Sequence, residues 1–210
     1  MALIDLLTER GTVTRLQAGA TLFHEGDRAA VVYGVLSGRV RIEVNTPTGS
    51  RLVLAMKEPG DVLGELGVLD GRPRSATAVA VEASELVQIG VDDFLAGLAD
   101  QPRYAVSLLQ RISRDLRDAV DRTTARASAD TTQRLAMLLF DLADRYGEHT
   151  DVTVEIGLSL TQDDVAGWIG ATREATARSL RTLRELGCVA TGRRRISITD
   201  LQALRGAALG

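Results

Sequence analysis

From about residue 12 to residue 90 the chain breaks into short apolar segments separated by glycine turns, and this cadence limits the fold more than any other feature. Val31-Val32-Tyr33-Gly34-Val35-Leu36 runs into Ser37-Gly38, and Val40-Arg41-Ile42-Glu43-Val44 then alternates apolar and polar residues. Pro47-Thr48-Gly49 predicts a turn before Leu52-Val53-Leu54, and Pro59-Gly60-Asp61 predicts another. Many short strands with regular glycine punctuation suggest a β-sandwich or jelly roll. An enzyme on that scaffold would need a nucleophile–base pair or clustered histidine and carboxylate metal ligands. His24 is the single histidine of this region, and neither arrangement is evident. The expectation is no enzyme, no catalytic residue and no metal.

Within this region, Gly64-Glu65-Leu66-Gly67-Val68-Leu69-Asp70-Gly71-Arg72-Pro73-Arg74-Ser75-Ala76-Thr77-Ala78 puts a carboxylate, a guanidinium, a hydroxyl and several glycines into one turn-rich loop. Arg74 offers a planar fork of donors suited to phosphate oxygens, and Ser75 adds a hydroxyl donor. An ionised Glu65 only accepts, so it suits a sugar hydroxyl. The glycines let backbone N–H groups approach an anion closely.

Gln101-Pro102 opens a long helical stretch, because proline is tolerated in the first helical turn. Leu109, Ile112, Leu116, Ala119, Thr123 and Arg126 follow a 3-4-3-4 spacing, with Val120 and Ala127 alongside. Such a seam either pairs two copies as a short coiled coil or packs on the chain's own β-domain; its position after the β-region favours the dimer. A second helix carries Leu135, Leu138, Leu139 and Leu142 and stops near Tyr146-Gly147.

Thr161-Gln162-Asp163-Asp164 reads as a capped helix start, with Asp164 placed as the reciprocal residue of a capping box. Val165, Trp168 and Ile169 form its apolar face, and Ala166 is small where two helices must cross. Gly170 breaks the helix, and Ala171-Thr172 leads into a second one beginning Arg173-Glu174-Ala175-Thr176-Ala177-Arg178. This is a helix-turn-helix pattern, whose second helix enters the major groove. Arginine pairs with guanine and glutamate with cytosine, so Arg173, Glu174 and Arg178 on one face are candidate base readers, with Thr172 beside them. Val189-Ala190-Thr191 and Ile196-Ser197-Ile198 flank Gly192-Arg193-Arg194-Arg195 as a two-stranded wing whose arginines suit phosphates.

Charge agrees with this division. The chain carries a formal charge of −3 overall, yet from Leu158 onward eight arginines face five carboxylates. A basic end on an acidic chain is the form of patch that responds to DNA. Lys57 is the only lysine. The single cysteine, Cys188, excludes an intramolecular disulfide and a cysteine-ligated cluster. The first residues do not read as a secretory signal and no apolar run is long enough to cross a bilayer, so a cytoplasmic location and no membrane partner are expected.

These motifs, in this order, resemble the cAMP receptor protein/FNR (Crp/Fnr) family. Residues 64–78 look like its phosphate-binding cassette, and Arg173-Glu174-x-x-x-Arg178 looks like its recognition helix. The resemblance implies an α+β architecture: a cyclic-nucleotide-binding-type β-roll over 1–101, a dimerisation helix over 102–128, and a winged helix-turn-helix over 129–210. It implies nucleotide contacts from Gly64, Glu65, Leu66, Arg74 and Ser75. DNA contacts would come from Thr172, Arg173, Glu174, Arg178, Arg193, Arg194 and Arg195. The partners implied are a palindromic DNA site with TGTGA-like half-sites, a second copy of the chain paired through Leu109, Ile112, Leu116, Ala119, Val120 and Thr123, and RNA polymerase.

At the adenine-contacting positions of cAMP-responsive members stand Ala119 and Val120, which lack hydrogen-bonding side chains. Asp115 stands where those members place a base opposite the cassette glutamate. Thr123 and Thr124 could substitute only after a one-turn shift of the helix. The effector is therefore cAMP, another nucleotide, an effector of another kind, or none. Thr176 and Ser179 are polar where the recognition helix normally packs apolar groups. A nucleotide-sensing module acting on a protein partner is the rival class; the basic wing and the reading helix count against it.

Overall fold

A computed structural model describes residues 3–46, 51–150, 152–158, 160–192 and 195–209. The Pro47-Thr48-Gly49 turn and Arg193 and Arg194 of the wing lie outside the described residues. In chain order the elements begin α1 (Leu3–Arg10), β1 (Thr12–Leu16), β2 (Thr21–Phe23), β3 (Val31–Ser37), β4 (Val40–Asn45), β5 (Arg51–Lys57) and β6 (Val62–Leu63). They continue α2 (Glu65–Asp70), β7 (Thr77–Ala80), β8 (Ser84–Gly90), α3 (Val91–Asp100) and α4 (Pro102–Ser128). The rest are α5 (Thr131–Tyr146), β9 (Gly147–His149), β10 (Val154–Ile156), α6 (Gln162–Ile169), α7 (Arg173–Glu185), β11 (Val189–Gly192), β12 (Arg195–Ile198) and α8 (Leu201–Leu209). Contacts divide the chain into two compact units, Met1–Asn45 with Val53–Ala119, and Thr46–Leu52 with Val120–Gly210.

The first unit holds the β-roll. Two four-stranded sheets, ordered β1-β8-β3-β6 and β2-β7-β4-β5, supply its framework. β3 pairs antiparallel with β8 from Val31↔Gly90 to Ser37↔Glu85, and β4 pairs antiparallel with β7 from Val40↔Ala80 to Glu43↔Thr77. Val35, Leu63 and Leu86 from one sheet meet Val40 and Ala78 from the other in one buried cluster, so the inner faces pack together. A second cluster covers the roll's outer side: Leu3, Leu6 and Leu7 of α1 join Val32, Val87, Phe94, Tyr104 and Leu108. Helices α1 and α3 were not marked by the sequence reading. Their stripes of apolar residues are only about two turns long, too short to stand out from neighbouring strand signals.

The second unit is built on α5, whose Asp130 and Gln133 form a capping box. Leu135, Leu139 and Leu142 pack with Val165, Ile169, Leu180, Leu183, Cys188 and Ile198. The expected two-stranded wing forms, with β11 and β12 paired antiparallel from Val189↔Ile198 to Gly192↔Arg195. That hairpin extends into a four-stranded antiparallel sheet ordered β11-β12-β10-β9. Strands β9 and β10 have three residues each, too few for an alternating pattern to declare itself.

Candidate functional site

The cassette loop closes around Arg74. Gly64 sits at φ 83°, a left-handed conformation that favours glycine, and it turns the chain from β6 into α2. The backbone of Arg74 is tied to the Gly26-Asp27 turn, accepting from Gly26 N (2.9 Å) and donating to Asp27 O (2.8 Å). Its side chain is buried, at 5% exposure. The guanidinium lies 4.2 Å from the Phe23 ring centroid, and Phe23 stacks on Tyr33 at 5.9 Å. The aromatic pair gives the cation a cation–π seat. It was missed in the sequence, where Phe23 and Tyr33 pass as ordinary strand residues.

The sequence suggested a fork presented toward phosphate, but the structure engages most of it. Nη1 donates to Gly64 O and Nη2 to Val31 O, each at 2.6 Å. The buried Nε has no hydrogen-bond partner. Burial pulls the Arg74 guanidinium below its ordinary value, against the opposing influence of nearby Tyr33, Glu65 and Asp27. Ser75, next in the chain, is exposed, and the Leu66 side chain is exposed while its backbone runs in α2.

Glu65, at the first position of α2, is 5% exposed. Burial pushes its carboxyl above the usual carboxylate range; a hydrogen bond from its own backbone and the charges of Lys57 and Arg111 oppose this, while Asp115 adds to it. The sequence had Asp115 in place of a basic partner for Glu65. The bases come from elsewhere instead: Lys57 from β5, and Arg111 one turn earlier on α4. Together Glu65, Arg74 and the left-handed turn suit a ligand that has a hydroxyl to donate and an anionic oxygen to accept. The unpartnered Nε of Arg74 is the buried donor such an oxygen would meet.

On α4, Tyr104 and Leu108 are buried, and Ile112 packs half-buried on the same cluster of its own unit. Leu109 and Leu116 are each 63% exposed and Val120 55%. Ala119 and Thr123 are exposed as well. The apolar seam thus splits, one edge turned into the β-roll and the other outward.

The second unit assembles the helix-turn-helix. Thr161 Oγ1 accepts from Asp164 N (3.1 Å) while Asp164 Oδ2 accepts from Thr161 N (2.9 Å), completing the capping box. Gly170 ends α6 at φ 62°. Thr172 then caps α7 by accepting from Ala175 N at 3.2 Å. α7 turns Thr176, Ser179, Leu180 and Leu183 inward and leaves Arg173, Glu174 and Arg178 exposed. The two unexpected polar residues are satisfied: Thr176 Oγ1 donates to Thr172 O at 2.9 Å, and Thr132 Oγ1 donates to Ser179 Oγ at 3.0 Å. Hydrogen bonding therefore lets hydroxyls occupy core positions. Arg173 lies 3.8 Å from Asp163 of α6, a pair the sequence reading did not identify. Arg195 of the wing is exposed, 4.0 Å from Glu155. Between α6, α7 and the hairpin opens a groove of about 270 Å³, floored by Leu160, Val165 and Leu180 and edged by Arg184 and Arg195.

Comparison with known proteins agrees with both halves. Residues 13–101 match the cyclic nucleotide-binding domain and residues 133–207 the Crp-like helix-turn-helix domain. A cyclic AMP receptor protein of Thermus thermophilus is 31% identical over 194 residues, 91% of this chain and 86% of that one. The chain belongs to the Crp/Fnr family. It is a Crp-like transcription regulator that joins a cyclic nucleotide-binding domain to a DNA-binding helix-turn-helix. A CRP-like cAMP-activated global transcriptional regulator of Mycobacterium tuberculosis is 28% identical over 201 residues, covering 96% of this chain and 90% of its own. Among solved structures, a CRP/FNR-family regulator from Thermus thermophilus aligns with TM-score 0.79 at 25% identity, covering 95% and 99% of the two chains. The c-di-GMP-responsive regulator CLP of Xanthomonas campestris shares the fold, with TM-score 0.84 at 23% identity over 94% and 98%. Among the described residues no helix of this Crp/Fnr regulator is long and apolar enough to cross a membrane.

Proposed function

We propose that this Crp/Fnr regulator works as a homodimer that reads a palindromic DNA site under the control of a cyclic nucleotide held in the cassette. The observation that carries the DNA reading is the division of α7, with hydroxyls and leucines inward and Arg173, Glu174 and Arg178 outward on a capped helix. Two such helices, one per protomer, would enter successive major grooves about 34 Å apart. Arg173, Glu174 and Arg178 read base edges in half-sites of the TGTGA type, with Thr172 at the helix start. Arg195, with its sequence neighbours Arg193 and Arg194, contacts phosphates. The exposed edge of α4, with Leu109, Leu116, Ala119, Val120 and Thr123, pairs the protomers, while Ile112 bridges that edge and the roll. Such a regulator acts with RNA polymerase in the cytoplasm and performs no catalysis.

In the cradle, Glu65 accepts from a ribose hydroxyl, Arg74 and Ser75 hold the cyclic phosphate, and Gly64 and Leu66 contribute backbone. The unpartnered Arg74 Nε supports this reading. The relatives named for cAMP make that nucleotide the first to test. Ala119 and Val120 bring no side-chain hydrogen bond to a base, which leaves room for another nucleotide. A second reading, DNA binding without any nucleotide, draws support from the two Arg74 nitrogens already satisfied by carbonyls.

The test is selection of bound duplexes from a random pool, followed by anisotropy titration of wild type and Arg173→Ala on the selected and a scrambled duplex. Arg173 is exposed and its Asp163 contact is a surface pair worth at most about 1 kcal/mol, so the fold tolerates its loss. A lost bidentate base contact costs about 1–3 kcal/mol, hence about 2–6 kcal/mol over two half-sites. Equal losses on both duplexes would remove Arg173 from base reading.

A further inference from the structure

Lys57 and Arg111, whose charges act on Glu65, are both held across the seam between the β-roll and α4, and in opposite senses. Lys57, at the end of β5, donates to Asp115 on α4 at 2.9 Å. Arg111, on α4, donates through Nη1 to Asp61 of the β5–β6 turn, also at 2.9 Å. The members of each row are four residues apart, 57 and 61 on the roll, 111 and 115 on the helix. The seam therefore carries a crossed pair of ion pairs, each lying one helical turn from the other.

The pairs are well anchored. Lys57 and Arg111 side chains are only 10% and 11% exposed. Asp61 is fixed by its own turn, where its Oδ2 accepts from Glu58 N at 2.9 Å and its N–H donates to Glu58 O at 2.8 Å. Arg111 Nε also stands 4.0 Å from Asp115, which joins the two pairs into one cluster. Among the described residues, Ile112 is the furthest α4 side chain packed into the roll's apolar cluster. One turn on, Leu116 is exposed. The crossed pairs sit on the last turns of α4 that pack against the roll.

We infer that Lys57–Asp115 and Arg111–Asp61 form a strap that couples the state of the cradle to the position of α4, with Asp115 as the positioning residue on the helix. This rests on the reading that a nucleotide occupies the cradle. Ala119 and Val120 offer a base no side-chain hydrogen bond, so the link from ligand to helix runs through charge. A ligand engaging Glu65 changes the field on Lys57 and Arg111, and their carboxylate partners on both sides of the seam transmit the change. The coupling is a difference in ligand affinity between helix positions, which is what shifts a population.

The experiment uses the full-length chain, wild type, Asp115→Asn and Asp115→Glu. Calorimetry with cAMP and cGMP gives nucleotide affinity, and anisotropy on the selected duplex gives DNA affinity with and without nucleotide. Expected is a nucleotide effect on DNA affinity of about tenfold or more in wild type, falling below about twofold in Asp115→Asn. Nucleotide affinity stays within about threefold, and Asp115→Glu, which keeps the charge, restores most of the effect. Retention of the full effect by Asp115→Asn overturns the inference.

Hydrogen exchange judges the strap separately from the ligand. Without nucleotide, Asp115→Asn should speed exchange at the α4 amides from Ile112 to Ala119 by about tenfold and leave β3 and β8 unchanged. Unchanged exchange in α4 overturns the strap. If wild type binds neither nucleotide, the ligand reading falls, and the exchange result alone decides whether the strap stands.

Discussion

Replacing Gly64 by alanine tests how the cradle is held together. Gly64 lies at φ 83°, where an L-residue pays roughly 1–2 kcal/mol. A Cβ there would overlap Arg74 Nη1, the atom that donates to Gly64 O. Long side chains normally swing away from such a clash. Arg74 has little room to do so, being buried, laid on Phe23 and bonded through Nη2 to Val31 O. The Nη1 bond is therefore lost, and a hydrogen bond from a charged donor is worth about 1.5–3 kcal/mol. Together the expected loss is about 2.5–5 kcal/mol in the first unit.

A double-mutant cycle separates the two contributions. On an Arg74→Ala background the overlap partner is gone, so Gly64→Ala should cost only the backbone strain, about 1–2 kcal/mol. The assay is native-state hydrogen exchange at β3 amides, which reports opening of the roll. The fluorescence of Trp168, the only tryptophan, serves as a control from the second unit. Equal losses on the two backgrounds would refute the interlock between Gly64 and Arg74.

Glu65→Gln should stabilise the protein at neutral pH. Burial raises the folded carboxyl above its unfolded value, so the protonated form favours folding; that contribution is full below the unfolded value and is lost as pH rises through the folded one. Urea midpoints should thus favour the variant at pH 7 and converge with wild type near pH 4, and a variant less stable at pH 7 would contradict the sign. Leu116→Glu places a charge on the exposed edge of α4 and should shift sedimentation toward monomer with the fold intact by circular dichroism; an unchanged dimer would move the interface elsewhere. Thr161→Ala removes one half of the α6 capping box and should cost about 1 kcal/mol, read as an earlier Trp168 transition in urea. No change there would mean the cap adds nothing in this context.

Much of this molecule was legible along the chain. Residues Val31–Ser37 and Val40–Asn45 announce themselves as strands because alternation and glycine turns are local signals. Thr161, Asp164 and Gly170 mark the start and end of α6 for the same reason: a cap is a relation between residues three apart. The order of cassette, long helix and capped helix pair was enough to suggest the family. Short elements such as α1, β9 and β10 escaped because their periods are too brief to register.

What the linear order could not supply were the partners that meet across distance. Arg74 shows its donors in the sequence but not that Gly64 and Val31 carbonyls take two of them and leave Nε alone. Asp115 reads as a missing base until β5 brings Lys57 to it. Thr176 and Ser179 look out of place until Thr172 and Thr132 satisfy them. Local order along the chain sets the longer strands, the capped helices and the chemistry each carries, because turns, caps and periodicity act within a few residues. Tertiary structure alone decided which charges and donors remain engaged, because burial and pairing depend on what the fold places beside them.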